Sequence, residues 1–97
     1  MNEYLVFSYS DFYPDGGASD LLTDKVSETE VITELGRALN GKYLEYNVEI
    51  YNINTGVTMD FIYDSSYYGY KDEKIYNENF LENVRKKLKR ESHNQKA

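Results

Sequence analysis

The chain has 97 residues, one proline, no cysteine and a formal charge of −6, from 17 acidic and 11 basic side chains. That length suits a single domain. The composition excludes a disulfide scaffold and a thiolate metal site, and no run approaches the ~20 apolar residues that a bilayer-spanning helix needs. Eleven tyrosines sit inside an apolar fraction of 40%, so the expected core is thin in aliphatic side chains and padded with tyrosine.

Residues 3–9 (EYLVFSY) are aromatic and β-branched enough to predict a strand. Leu5 and Phe7 fall on one side and Tyr4 and Val6 on the other, so both faces are apolar and the strand is expected inside a sheet. Ser10 to Asp20 reads as a loop around Pro14-Asp15-Gly16-Gly17, where proline presets one turn dihedral and glycine supplies the next. Asp20 to Val26 fits either a short edge strand or the lead into a helix.

Ser27 to Asn40 predicts a helix. Ser27-Glu28-Thr29-Glu30 has the spacing of a capping box, in which Ser27 accepts from the Glu30 backbone while Glu30 reaches back. Val31, Ile32, Leu35, Ala38 and Leu39 make an apolar stripe at helical spacing, and Asn40-Gly41 supplies a stop. Gly36 interrupts the stripe and is expected to permit close packing at a cost of ~1 kcal/mol.

Residues 43–53 alternate, with Leu44, Tyr46, Val48 and Ile50 on one side and Glu45, Asn47, Glu49 and Tyr51 on the other. Residues 57–64 alternate too, with Val57, Met59, Phe61 and Tyr63 facing the core. Asn54-Thr55-Gly56 marks a hairpin turn between them. Side-chain parity brings the two apolar rows together only across an even-numbered loop. A four-residue loop, Ile53 to Gly56 with Gly56 left-handed, meets that condition, and so does a two-residue Thr55-Gly56 loop. Residues 65–74 are polar and tyrosine-rich and read as a loop. A second helix is expected over 77–92, burying Phe80, Leu81, Val84 and Leu88, with 93–97 as a frayed polar tail. The fold class is therefore α+β, a three-stranded, mainly antiparallel sheet with two helices on one face, in the order β-α-β-β-α.

Several chemistries are poorly served by these residues. The only histidine, His93, falls in the polar tail, where a general base would not be held rigidly. No phosphate-binding glycine loop is present. Asp11, Asp15 and Asp20 do not have the alternating oxygen ligands of an EF-hand and suit turn capping better. No catalytic residue, metal or cofactor is expected. The acidic opening residues lack the positive charge of a signal peptide.

The charge is uneven. Residues 1–70 hold twelve acids and three bases, a net of −9, whereas residues 71–97 hold five acids and eight bases, a net of +3. The basic cluster Arg85, Lys86, Lys87, Lys89 and Arg90 could contact phosphates, but cations near a helix C-terminus are also favoured by the dipole. With the four-residue loop, Glu49 would face Asp60 and Glu45 would face Asp64. With the two-residue loop, Glu49 would meet Ile62 instead. In the first register the acids form a docking face for a partner with a basic surface, spaced ~6.6 Å apart along a strand, close to two phosphate steps of a nucleic-acid strand. A plain solvated face, or one covered by the basic helix, is the alternative. Tyr67, Tyr68 and Tyr70 are candidate anchors for the same partner, and Tyr13, Asp15, Gly16 and Gly17 form a candidate ligand loop. The acids around the tyrosines argue against a nucleic-acid partner.

Tyr4-Leu5-Val6-Phe7, then Phe12-Tyr13-Pro14-Asp15-Gly16-Gly17, then Asp20-Leu21 resembles the opening of small phage and prophage accessory proteins, over about residues 4–39. The resemblance implies a phage accessory gene acting in the bacterial host cytoplasm, and carries no site residues with it. Small acidic proteins of that kind often bind and inhibit host machinery, CRISPR nucleases and other defences included. The expected function is a non-enzymatic inhibitor of a host protein, such as a defence nuclease, acting as an acidic nucleic-acid mimic. Two alternatives stand beside it: a protein that sequesters a small nucleotide signal, and a nucleic-acid-binding regulator working through the basic C-terminal helix.

Overall fold

The first strand of the structure, a computed structural model describing residues 2–10, 21–64 and 73–94, is β1 (Glu3–Tyr9). It is followed by β2 (Val26–Ser27), α1 (Glu28–Gly41), β3 (Asn47–Asn52), β4 (Thr58–Ile62) and α2 (Glu73–Asn94). The sheet has four antiparallel strands in the order β2-β1-β3-β4, not the three expected. The added strand is only two residues long and joins β1 through Glu3↔Ser27 and Tyr4↔Val26. A two-residue strand carries no periodicity, so the ambiguous stretch before Ser27 concealed it. β1 lies between β2 and β3, as its two apolar faces require.

Helix α1 begins as its capping box dictates. Ser27 Oγ accepts from the Glu30 N–H at 3.3 Å, and Glu30 Oε1 accepts from the Ser27 N–H at 2.9 Å. The Ser27 N–H bond to the carboxylate, and after it the Ser27 side chain, hold the Glu30 carboxyl below its ordinary titration range. The helix end differs from expectation. Gly41 is still helical, and the left-handed residue is Lys42, at φ 59°, with its N–H directed to Ala38 and Leu39 carbonyls. Gly41 matters for another reason: a Cβ there would come within 2.6 Å of the Tyr43 ring. Gly36, by contrast, has nothing within 4 Å of where a Cβ would stand, so close packing is not its role.

The hairpin adopts the four-residue loop. Asn52 N–H donates to the Val57 carbonyl, Gly56 N–H donates to the Asn52 carbonyl, and Gly56 takes φ 78°. Glycine pays no Cβ penalty in that left-handed region. One face of the sheet therefore carries Tyr4, Val6, Val48, Ile50 and Met59, all buried against Val31, Leu35, Ala38 and Leu39 of α1 and Phe80, Val84 and Leu88 of α2. Phe61 is partly buried on the same side, edge-on to Phe80. Tyr63 is buried as expected, its ring against Phe80 and Tyr76 and its hydroxyl on Asn77 Oδ1 at 2.7 Å.

Two expected core residues lie elsewhere. Tyr46 is exposed, because it sits in the bend ahead of β3 where strand alternation has not begun. Val57 is exposed at the hairpin mouth, one residue before β4. Helix α2 starts at Glu73, four residues earlier than expected, and runs through His93 and Asn94 into the segment read as a tail.

Candidate functional site

The face of the sheet turned away from the helices is built by the alternate residues of β1, β3 and β4. Along β1 these are Leu5, Phe7 and Tyr9; along β3, Asn47, Glu49 and Tyr51; along β4, Thr58, Asp60 and Ile62. The cross-strand partners are Leu5↔Tyr51↔Thr58, Phe7↔Glu49↔Asp60 and Tyr9↔Asn47↔Ile62. Exposure rises toward the edge: the β1 and β3 residues are half-buried, while Thr58, Asp60 and Ile62 are exposed.

The hairpin register places Glu49 directly opposite Asp60. The Asn52–Val57 and Tyr63–Tyr46 backbone bonds bracket the ladder. By alternation the Glu49–Asp60 pair is one of the non-hydrogen-bonded positions, where side chains come closest. Like charges facing there are destabilising by a few tenths of a kcal/mol to about 1 kcal/mol. Tyr9 offsets part of this: its hydroxyl donates to Glu49 Oε1 at 2.5 Å, a charge-assisted bond across β1 and β3. Phe7 lies beside the pair, so the site is two carboxylates in an aromatic surround.

The other two acids expected on this face do not join the ladder, whose last pair is Asn47↔Ile62. Glu45 is exposed, with its backbone N–H on Ser8 Oγ at 2.8 Å. Asp64 is half-buried, with its backbone N–H on the Tyr76 hydroxyl at 2.8 Å. Tyr67, Tyr68 and Tyr70, and the loop residues Tyr13, Asp15, Gly16 and Gly17, lie outside the described residues. So do Asp11 and Asp20; among the described residues no three His, Asp or Glu side chains gather as a metal-ligand set.

The basic cluster lies on the second half of α2. Arg85 pairs with Glu82 one turn earlier, and Lys87 Nζ sits 5.1 Å from the centroid of Phe61. Lys86, Lys89 and Arg90 are exposed. Near the other end of α2 is a cleft of about 490 Å³ against the second half of α1, floored by Leu39 and Leu81. Its rim mixes Lys42 and Lys74 with Glu73 and Glu78, so it does not concentrate cations for a phosphate.

Sequence reasoning passed over one residue, Asn52. It is fully buried, and its Oδ1 accepts the N–H groups of Asn54 and Thr55 at 2.9 and 3.2 Å. Its amide donates to Glu91 Oε1 at 3.0 Å, tying the hairpin turn to the last part of α2. Asparagine two residues before a turn residue is a local Asx-turn signal, but nothing local points to a partner 39 positions away. The same corner holds the buried Tyr4, whose hydroxyl is raised above its ordinary pKa. Burial is the main cause and the charges of Glu91 and then Glu28 add to it, while the Asn2 side chain pulls the other way.

The fold is thus that of a small α+β chain with a four-stranded antiparallel sheet, covered by helices on one side and bearing an acidic pair on the other. Residues 4–61, more than half of the chain, match the model of the family described as bacteriophage T4 protein Y07C, and the chain belongs to that family. No curated protein and no solved structure matches it. The matched span takes in α1 and all of the sheet but Glu3 and Ile62, the first residue of β1 and the last of β4, and stops short of α2. Among the described residues no helix is long and apolar enough to cross a membrane.

Proposed function

We propose that this phage-family chain is a non-enzymatic binding protein that engages a host protein through a basic surface and inhibits it. The directly opposed Glu49–Asp60 pair, on the face away from both helices, carries the reading. A sheet that sets two carboxylates against each other accepts a cost in stability, and a cationic partner would remove that cost. The target class that suits this best is a nuclease of host defence, whose phosphate-binding groove the carboxylates would fill. Glu45 and Asp64 flank the pair in sequence and extend the acidic region, and Tyr67, Tyr68 and Tyr70 remain the proposed anchors.

The decisive measurement uses the Glu49→Lys/Asp60→Lys double variant. It should keep the circular-dichroism spectrum and melting behaviour of the parent, lose capture of the target from the bacterial host, and lose inhibition of that target's activity. Undiminished inhibition by the folded double variant overturns the reading.

A further inference from the structure

Strand β4 ends the sheet, and its outer edge is open among the described residues. The backbone bonds at Asn52–Val57 and Tyr63–Tyr46 fix which groups point where. Met59, Phe61 and Tyr63 turn their N–H and C=O toward β3, as Val57 does its C=O, so Thr58, Asp60 and Ile62 turn theirs outward. Those three residues give a ladder template spanning ~13 Å. Natural edges are commonly blunted by proline, a bulge or a charge, lysine above all; β4 (TMDFI) has no proline and pairs with β3 without interruption, and its one charge, Asp60, bars an acidic strand while admitting a basic one. Ile62 is 53% exposed at its end.

We infer that this edge receives an extended segment of the basic partner protein as a fifth strand, a mode that rests on the protein-binding reading above and adds its geometry. Charge selects the occupant. On the open side, the residue opposite Asp60 would lie beside the Glu49–Asp60 pair, which calls for arginine or lysine. On the helix side, the incoming strand would run alongside half-buried Phe61, with Lys87 already over that ring. That side calls for an apolar residue and repels a cation. Beside Ile62 an apolar residue fits again. The segment is therefore amphipathic, with apolar residues around one central cation. A second copy of this chain fits poorly, because the only antiparallel pairing that uses all three outward residues puts Asp60 against Asp60.

The probe is the peptide acetyl-Ile-Val-Arg-Val-Thr-amide, added at about 5 mM, the range in which so short a strand would bind, to the isotope-labelled full chain. Amide exchange at Thr58, Asp60 and Ile62 should slow at least severalfold, with the same peptide bearing Glu for Arg giving no such protection. Chemical-shift changes without protection at those three amides, or no change at all, overturn the inference. So does concentration-dependent protection without peptide, which would mark self-association. Thr58→Pro and Ile62→Pro each remove an outward N–H while leaving the β3 ladder and the charge intact, and peptide protection should be lost in both once their melting shows them folded. These variants also separate the two ideas on the captured host target. If Glu49→Lys/Asp60→Lys loses the target while both proline variants keep it, the acidic face stands and strand addition fails. If the charge reversal has no effect, the protein-binding reading itself fails.

Discussion

On the helix side of β3, Val48 and Ile50 are fully buried, and their neighbours Val6 and Met59 close the layer. One residue along, on the other side, Glu49 stands opposite Asp60 beside Phe7. The two faces share every backbone bond of the sheet, so their difference lies wholly in side chains. The covered face is an apolar layer in which each group has been taken out of water and gains from it. The open face keeps groups whose mutual interaction is unfavourable without a third party. On the proposed function, stability and binding are divided between opposite sides of one strand, and substitutions on the two sides should have opposite signs.

The largest break in that division comes from the covered side. Leu88→Ala empties a fully buried position and should cost about 2–5 kcal/mol, lowering the melting temperature on the order of 10–30 °C in a thermal unfolding scan. Asn52→Ala removes a polar side chain that is buried completely on that face. It strands two turn N–H groups and should cost about 1–3 kcal/mol by denaturant titration. A gain is expected where α1 meets the helix cleft: Gly36→Ala has open space for its methyl group and should stabilise by ~1 kcal/mol. On the open face Asp60→Asn should stabilise slightly, by a few tenths of a kcal/mol at low salt, with the gain shrinking as salt screens the parent. If Asp60→Asn destabilised instead, the contrast between the faces would be lost.

The smallest effect at neutral pH belongs to Tyr4. A tyrosine whose folded pKa is raised contributes stability that is complete below the unfolded value near 10 and declines as pH rises toward the folded one. Alkaline unfolding of the parent should therefore steepen above about pH 10, and Tyr4→Phe should flatten that limb. An unchanged limb would show that the hydroxyl is not held in a desolvated site. Glu30 runs the other way. Its lowered carboxyl supports the start of α1 above the ordinary Glu range, and that support fades as the pH falls through the folded value.

The covered face was largely legible from sequence because periodicity reports burial. The stripe Val31, Leu35, Ala38, Leu39 and the row Val48, Ile50 both lie where their spacing puts them. The capping box was legible because both partners lie within four residues. The register of the hairpin, and with it the acidic pair, was narrowed by parity to two loops; the structure has the four-residue one. What escaped has a common cause. Strand β2 is too short to show a period, the left-handed turn fell one residue past Gly41 on Lys42, and Asn52 reaches Glu91 across 39 residues. Each depends on tertiary placement, on which a local window is silent.

The Asn52 corner bears on the order in which the chain assembles. Its amide bridges 39 residues to Glu91, and next to it Asn54 Oδ1 receives the Glu3 N–H from 51 residues away. The hairpin and α1 can form from neighbours, but this knot draws in both the first strand and the last helix, so its closure entropy is met late. A late contact is absent from the folding transition state, and weakening it mainly accelerates escape from the native basin. The Asn52–Glu91 bond should then be a governor of lifetime: it sets how long the sheet stays shut more than how quickly it closes.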